Sequence, residues 1–456
     1  MSEKYDVAVI GSGSGGSEAA LLAADKGFRA ILIEKDAFGG TRFHRGCYAV
    51  RALHASSRVY RQIVKSRQFG IETDLLRNSL VDWMKAQRAA SARLAEDLRT
   101  GLEQLNARIA AGAGSLVGEH QVRITDSLGN HEDIEAEYII LATGSRPDYS
   151  SSQGSRFFNS DDLIARVLPP HHLFIIGGGY VGCEFASIYR ALGCRVSLAE
   201  QQERLLPGWD PNVGERVAAE LSANGVELYL GRKVEPEKAP IEDGYPILTL
   251  PDGEEISPDL VLVATGRRPN VESIGLDRLG IAADPYVKVD AQLRTSQRHI
   301  FAIGDVNGLN MLDSSASAQA RIAFEAIRGE RAALEIFGNK YPTPDGTCVR
   351  DYIHVNDLAE AHVQGLEYLN SGGISMALNL GTGRGHSVRE VLSAIKTVTG
   401  HEVPSRMASA RPGDPPELVA DPTCAEHVLH WKAKRSLEEI VATAWKWAER
   451  AAPQKQ

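Results

Sequence analysis

Asp6-Val7-Ala8-Val9-Ile10-Gly11-Ser12-Gly13-Ser14-Gly15-Gly16 is an apolar run that breaks into a glycine turn, and Leu173-Phe174-Ile175-Ile176-Gly177-Gly178-Gly179-Tyr180-Val181-Gly182 repeats the plan. In both, a strand-sized apolar stretch leads into G-x-G-x-x-G spacing and then into a helical pattern. Gly11, Gly13 and Gly16 lack side chains, so a pyrophosphate can approach backbone N–H groups at the start of the helix. Gly177, Gly179 and Gly182 form the second such seat. Each copy closes its next strand with an acid, Glu34 or Glu200, whose carboxylate can accept both hydroxyls of an adenosine ribose. At Glu200 the negative charge favours NAD over NADP, because a 2′-phosphate would meet like charge; the cation Arg204 nearby opposes that preference. Each copy is followed by a strand ending in Ala-Thr-Gly, at residues 142–144 and 264–266. Two turns in strand-turn-helix context, each with its acid, predict an α/β chain with two Rossmann-like dinucleotide-binding domains.

A length of 456 residues fits several domains better than one core. The 43% hydrophobic and 24% charged content is that of an ordinary globular protein and excludes a disordered or fibrous chain. Fifty basic against 59 acidic side chains leave a net charge of -9 without a dense Lys/Arg block, which argues against a nucleic-acid partner. No apolar run approaches the ~20 residues of a membrane span, and the chain enters its first strand at Val7 without a basic leader. A cytoplasmic protein with no membrane contact is expected. Cys47, Cys183, Cys194, Cys348 and Cys424 are widely spaced and never form C-x-x-C, so neither a disulfide scaffold nor a metal site is predicted.

Between the first turn and its Ala-Thr-Gly lies added material, including a helical stretch with Leu94, Leu98, Leu102 and Leu105 on one face. Pro169 and Pro170 before the second glycine strand, and Pro269 after the last one, mark crossings between domains. After Gly329 the character changes. Ser387 with Glu390 and Ser436 with Glu439 match the helix capping box, and Gly400 closes the first of these helices. Val388, Val391, Leu392, Ile395 and Val398 give that helix an apolar face that must be covered. The division expected is 1–150 and 271–330 for the first nucleotide domain, 151–270 for the second, and 331–456 for a separate C-terminal α/β unit.

Over residues 1–330 the chain resembles the pyridine nucleotide-disulfide oxidoreductases, especially dihydrolipoamide dehydrogenase. The resemblance rests on both turns and also on Gly39-Gly40-Thr41, Gly46-Cys47, Arg204-Leu205-Leu206-Pro207-Gly208, both Ala-Thr-Gly strands, and His299-Ile300-Phe301-Ala302-Ile303-Gly304-Asp305. It implies FAD on Gly11, Gly13, Gly16, Glu34, Gly40, Thr41 and Gly144, with Asp305 on the flavin ribityl chain. It likewise implies NAD(H) on Gly177, Gly179, Gly182, Glu200 and Gly266.

The redox segment departs from that family. Its pattern is Gly-Gly-Thr-Cys-x-x-x-x-Cys, and here the first cysteine is Arg42, leaving Cys47 alone. The family lysine four residues on is Arg51, and its glutamate partner matches Glu184, so a flavin-side ion pair between Arg51 and Glu184 is expected. Cys47, near a helix start with Arg42, His44, Arg45 and Arg51 around it, reads either as a thiolate of lowered pKa or as an inert filler. The family's dimerisation domain, with its His-x-x-x-x-Glu pair, has no match, so a homodimer is not assured. Thiol-disulfide exchange lacks its exchanging thiol and its proton carrier. Hydride transfer from NADH to FAD, and on to an unassigned small-molecule acceptor, needs only the two nucleotide sites.

From about residue 334 the chain resembles the C-terminal portion of UDP-glucose 4-epimerase. The matching segments are Ile336-Phe337-Gly338, Tyr341-Pro342-Thr343-Pro344-Asp345-Gly346-Thr347, Val349-Arg350-Asp351-Tyr352-Ile353-His354-Val355, Asn379-Leu380-Gly381 and Arg411-Pro412-Gly413-Asp414. The resemblance implies Phe337 on uracil, Arg350 and Arg411 on a diphosphate, and Asp414 near the ribose of a UDP-sugar. The epimerase's own NAD domain and its Tyr-x-x-x-Lys helix are missing; Tyr229 with Lys233 falls in a strand pattern. Gly381, Gly383 and Gly385 have the wrong spacing for a dinucleotide turn. Apolar surface made for the missing domain is expected to lie exposed. The primary reading is an FAD-dependent NADH oxidoreductase with an incomplete redox disulfide; the alternatives are a UDP-sugar binding or epimerase-like protein, or a fusion without selected activity.

Overall fold

A computed structural model gives the fold and describes residues 3–72, 80–151, 156–166, 168–327, 334–411 and 413–451. By its contacts the chain divides into two compact units, Met1–Arg328 and Gly329–Gln456.

The first unit begins β1 (Glu3–Ile10), α1 (Ser14–Asp25), β2 (Ala30–Glu34), the short α2 (Gly40–His44), α3 (Cys47–Lys65), α4 (Leu80–Gln104), β3 (Arg108–Ala111), β4 (Ala113–Gly118), β5 (Gln121–Thr125) and β6 (His131–Leu141). These strands form a sheet in the order β3-β2-β1-β6-β5-β4, with Ile300–Ala302 added in parallel to the end of β6. Strands β1, β2, β3 and β6 run parallel, while β4 and β5 run as an antiparallel pair beside β6. The sheet is covered on both faces, which is why its central strands read as continuous apolar runs. Val7 and Val9 of β1 pack with Ala19, Ala20 and Phe324, while Ala8 and Ile10 point the other way onto Ile31, Ile139 and Ile300. In α4, Leu102 is buried and Leu98 partly so, against the same core as α1; Leu105 lies beyond the helix end, at the surface.

The second half of the unit continues with β7 (Ser145–Pro147), β8 (Phe157–Phe158), α5 (Ser160–Ala165), β9 (His172–Ile176), α6 (Tyr180–Ala191), β10 (Arg195–Glu200), α7 (Pro211–Ala223) and β11 (Val226–Leu230). With the strand Leu260–Val263 they form a parallel sheet in the order β11, β10, β9, Leu260–Val263, β8. The order reproduces β3-β2-β1-β6 of the first sheet. In both, strand order reverses at the end of the glycine-turn strand, where a parallel α/β sheet opens its ligand crevice.

The chain crosses into the second half through β7 and returns through Arg267–Pro269, and these two segments pair antiparallel. The outward crossing therefore lies earlier than Pro169 and Pro170, which instead lead directly into β9. Arg146 grips Glu272 with two bonds of 2.6 and 2.9 Å, and Arg267 donates to the Ser145 hydroxyl at 2.8 Å and to its carbonyl at 2.9 Å. Away from the crossings the halves share apolar packing: Ala49, Leu53 and Met84 of the first lie in one buried cluster with Phe185, Ala186 and Tyr189 of α6.

In the second unit Leu334–Phe337 pairs parallel with Ser405–Ala408, and Val349–Asp351 lies between Gly385–Ser387 and Glu417–Leu418. Both predicted capping boxes form. The Ser387 and Ser436 hydroxyls accept the amides of Glu390 and Glu439, and each glutamate accepts the serine amide in return at 2.7 Å. Gly400 ends the helix Val388–Thr399 with φ 73°. That helix packs its half-buried apolar face on the helix Leu437–Ala451. The core centres on Trp431, which is buried and donates its indole N–H to the Asp357 carbonyl at 2.9 Å. Asp357, fully buried, is satisfied by the amides of Lys434 and Arg435 and by the Arg435 guanidinium. On the helix Val355–Asn370, Val355, Val363 and Leu366 are exposed.

Candidate functional site

The two turns agree at each of their three motif glycines. Gly11 and Gly177 hold φ near 105° and 108°, and a Cβ on either would come within 2.4 and 2.5 Å of the carbonyl of Ala142 or Ala264. A Cβ on Gly16 or Gly182 would fall 1.8 or 2.0 Å from the carbonyl of Gly11 or Gly177. These four glycines let helix, turn and Ala-Thr-Gly strand close on one another. Gly13 and Gly179 differ: a Cβ there would meet nothing within 4 Å. They are the N-cap residues of α1 and α6, and neither helix has a side-chain cap, whereas α5 and α7 are capped by Asn159 and Asp210. Two helix N-termini thus present open donors above a space that only glycine keeps clear, which suits a pyrophosphate at each.

The acids match as closely. Glu34 accepts the Ser12 amide at 2.8 Å and the Asp36 amide at 2.9 Å; Glu200 accepts those of Gly178 at 2.7 Å and Gln202 at 2.8 Å. Glu34 also accepts the Ser12 hydroxyl at 2.6 Å, so it has fewer lone pairs left for a ribose than Glu200 has; each carboxylate is fixed as an acceptor at the rim of its turn. Gly39 and Gly40 fold back over the first turn. The Gly39 amide donates to the Ser12 hydroxyl at 2.8 Å, and Gly40, at φ 61°, lies so close that a Cβ would stand 3.0 Å from the Cα of Gly13. The Thr41 carbonyl then accepts the Arg45 amide at 3.0 Å and shapes the loop before Cys47. Gly144 and Gly266 carry the chain out of the two Ala-Thr-Gly strands at φ 68° and 153°. Asp305 accepts the Ser145 hydroxyl at 2.6 Å, and that hydroxyl is in turn held by Arg267. The residues present fit a dinucleotide at each cradle.

Around Cys47 the structure departs from one sequence expectation and bears on a choice that the sequence left open. Glu184 of α6 pairs with His54, not with Arg51. The two candidates lie one helical turn apart on α3, and the packing of α3 on α6 brings the later turn level with Glu184; Arg51 is exposed and forms no ion pair among the described residues. The Cys47 thiol is pushed up rather than down. Desolvation is the largest cause, the Asp313 carboxylate adds to it, Arg51 opposes it, and Asp305 adds further. The side chain has an open face, yet the sulfur has lost enough water on its other side for burial to outweigh the nearby cation. No cysteine is disulfide-bonded.

Arg42, five residues ahead of Cys47, lies between an acid and two aromatic rings. Its Nε lies 3.7 Å from Asp313, its guanidinium sits over the rings of Phe43 and Tyr48, and Asp313 also accepts the Ser14 hydroxyl at the mouth of the first cradle. Tyr180 opens α6 and is 44% exposed. Desolvation raises its phenol, Arg267 pulls the value down, and Asp305 and Cys47 push it up, so groups from both halves converge here. Tyr180 and Asp313 were not singled out in the sequence; an aromatic directly after Gly179, inside the second glycine turn, was the available signal for the first, and Asp313 had none.

In the second unit the four residues assigned to a UDP-sugar form two pairs. Arg350 is bound to Asp414 and to the carbonyls of Val349 and Pro415, and the Arg411 guanidinium stacks on Phe337 at 3.8 Å from the ring centre. The loop 381–383 wraps an internal anion: Thr382 and Gly383 donate amides to the Asp351 carboxylate at 3.0 Å.

The family model of the pyridine nucleotide-disulphide oxidoreductases matches residues 5–324. The chain belongs to that family. A dihydrolipoyl dehydrogenase from Chlamydia muridarum is 35% identical over 347 residues, which cover 74% of this chain and 72% of the relative. One from Pseudomonas aeruginosa is 34% identical, covering 72% of each chain. Among solved structures, LpdA from Mycobacterium tuberculosis has a TM-score of 0.66 at 26% identity, covering 72% of this chain and 73% of that one. The HOCl-induced flavoprotein disulfide reductase RclA from Escherichia coli has a TM-score of 0.62 at 25% identity, covering 72% of each. A second family model, GDP-mannose 4,6 dehydratase, matches residues 318–444 and gives the C-terminal unit an epimerase/dehydratase-type domain.

This pyridine nucleotide-disulphide oxidoreductase is therefore an NAD-dependent flavin enzyme that uses FAD and NAD(H). No helix among the described residues is long and apolar enough to cross a membrane.

Proposed function

We propose that the protein oxidises NADH at the second cradle, reduces FAD at the first, and passes two electrons to a small-molecule acceptor without an internal disulfide. Bound FAD supplies the redox chemistry, taking a hydride equivalent from the nicotinamide. The chain supplies position. Gly177, Gly179 and Gly182 seat the pyrophosphate of NADH and Glu200 its ribose; Gly11, Gly13, Gly16 and Glu34 do so for FAD, and Asp305 takes the ribityl chain. Tyr180, close enough to Asp305, Cys47 and Arg267 for their charges to act on it, would shield a nicotinamide–flavin contact from water.

The observation that carries the reading is Arg42, held by Asp313 and two aromatic rings, at the sequence position of the exchanging thiol. It leaves Cys47 without a partner for thiol-disulfide exchange. Oxygen, a quinone or a dye then accepts the electrons directly from the flavin. An anaerobic NADH titration of the FAD-loaded protein tests this. The expected result is bleaching of the flavin band and its return on adding one of these acceptors, with no turnover of a disulfide substrate. A flavin that NADH leaves oxidised, or turnover of a disulfide at a comparable rate, sinks the proposal.

A further inference from the structure

Asp161 lies in the first turn of α5, in the second half of the first unit. One carboxylate oxygen is 3.8 Å from Nη1 of Arg267 and the other 3.7 Å from Nε of Arg45. These arginines belong to different parts of the molecule. Arg45 sits in the loop joining α2 to α3, just ahead of Cys47, and binds Asp36 at 2.8 Å, whose amide donates to Glu34. Arg267 sits on the returning crossing and holds Ser145, the donor to Asp305. One carboxylate thus connects the rim of the first cradle, the redox loop and the Asp305 anchor to the half that carries the second cradle. The halves otherwise meet through an apolar cluster, which is non-directional, through the His54–Glu184 pair between α3 and α6, and through the pairing of β7 with Arg267–Pro269; Asp161 is the carboxylate that reaches both the crossing and the redox loop.

We propose that Asp161 is a positioning residue that fixes the angle between the two nucleotide-binding halves, and so the approach of nicotinamide to flavin. The proposal rests on the hydride-transfer reading above. Stability does not explain the charge. Burial raises the Asp161 carboxyl even though Arg267 and Arg45 pull it down. For an acid raised in the fold, stability falls as pH climbs from the ordinary carboxylate value through the raised one, and the loss persists at neutral pH. An asparagine escapes that penalty, and both arginines keep other partners, Ser145 for Arg267 and Asp36 for Arg45. A residue that only holds the fold together would, when neutralised, lower stability; a positioning residue would not.

The test uses the full-length, FAD-loaded protein and Asp161→Asn. Misplacement by about 1 Å costs up to ~10²-fold in rate, so anaerobic stopped flow is expected to show limiting flavin reduction by NADH at least ~10-fold slower, with half-saturation within about two-fold. The melting temperature is expected to be equal or higher, and amide exchange of β7 and of the strand Arg267–Pro269 faster without NADH present. An unchanged limiting rate, or a melting temperature that falls together with the rate, overturns the proposal. If NADH does not reduce the wild-type flavin, the proposed function fails instead; exchange alone then decides, with faster exchange in the variant supporting Asp161 as the tie between the halves and unchanged exchange refuting it.

Discussion

Glu200 accepts the backbone N–H of Gly178 at 2.7 Å, tying the end of β10 to the second glycine turn. The carboxylate is buried, so its charge would be little screened against a bound ribose. Glu200→Gln keeps the shape and removes the charge. NADH half-saturation is expected to rise by about ten-fold, which is about 1.4 kcal/mol, while that for NADPH changes less. Steady-state kinetics with the two nucleotides checks this; an unchanged preference would take Glu200 out of cofactor selection.

The glycines of one turn separate structure from binding. In Gly182→Ala the new Cβ would strike the Gly177 carbonyl, so the helix must move off the strand and the melting temperature falls. In Gly179→Ala the Cβ meets no protein atom. Thermal stability is expected to hold there while NADH binding weakens, because the methyl occupies the approach to the helix amides. Calorimetry for NADH beside thermal melts distinguishes the two outcomes.

Cys47 is expected to react slowly with iodoacetamide at neutral pH, and faster as pH rises past the ordinary thiol value, since its pKa is raised by burial and by Asp313. Asp313→Asn removes one of those causes and is expected to speed alkylation at a fixed pH. A long-wavelength thiolate-to-flavin band is accordingly expected to be weak near pH 7 and to grow in Asp313→Asn. Fast alkylation at pH 7 in the unaltered protein would contradict the environment described.

Arg146 holds the Glu272 carboxyl down at about 2. An acid lowered in the fold stabilises it above the ordinary glutamate value, near ~4.3, and that contribution is lost as pH falls from there towards the folded value. The pair is largely exposed, so Glu272→Gln is expected to cost under about 1 kcal/mol at pH 7. The difference between variant and parent should vanish in melts near pH 2; a difference that persists there would place the effect elsewhere.

Much of this molecule was legible as sequence because the signals were local. Glycine spacing, a terminal acid and Ala-Thr-Gly fixed both sheets, and Ser387 with Glu390 marked a helix start that the structure builds with both bonds. What failed depended on packing between distant segments. Whether Arg51 or His54 meets Glu184 is set by the rotation of α3 against α6, which no spacing encodes. The cationic run around Cys47 left a thiolate and an inert filler both open, and it is Asp313, brought back by a helix far along the chain, together with the loss of water, that raises the thiol. In the C-terminal unit, Arg350 and Arg411 were legible as a family signature, while their pairing with Asp414 and Phe337 was not.

The paired crossings carry a topological consequence. Because β7 and Arg267–Pro269 run side by side, the intervening segment starts and finishes at neighbouring points. It is an insert, threaded through one doorway, that leaves the wiring of the first sheet untouched. Excising it and joining Ser145 to Pro269 with a short linker requires no rethreading of the first sheet, at the cost of uncovering Ala49, Leu53 and Met84.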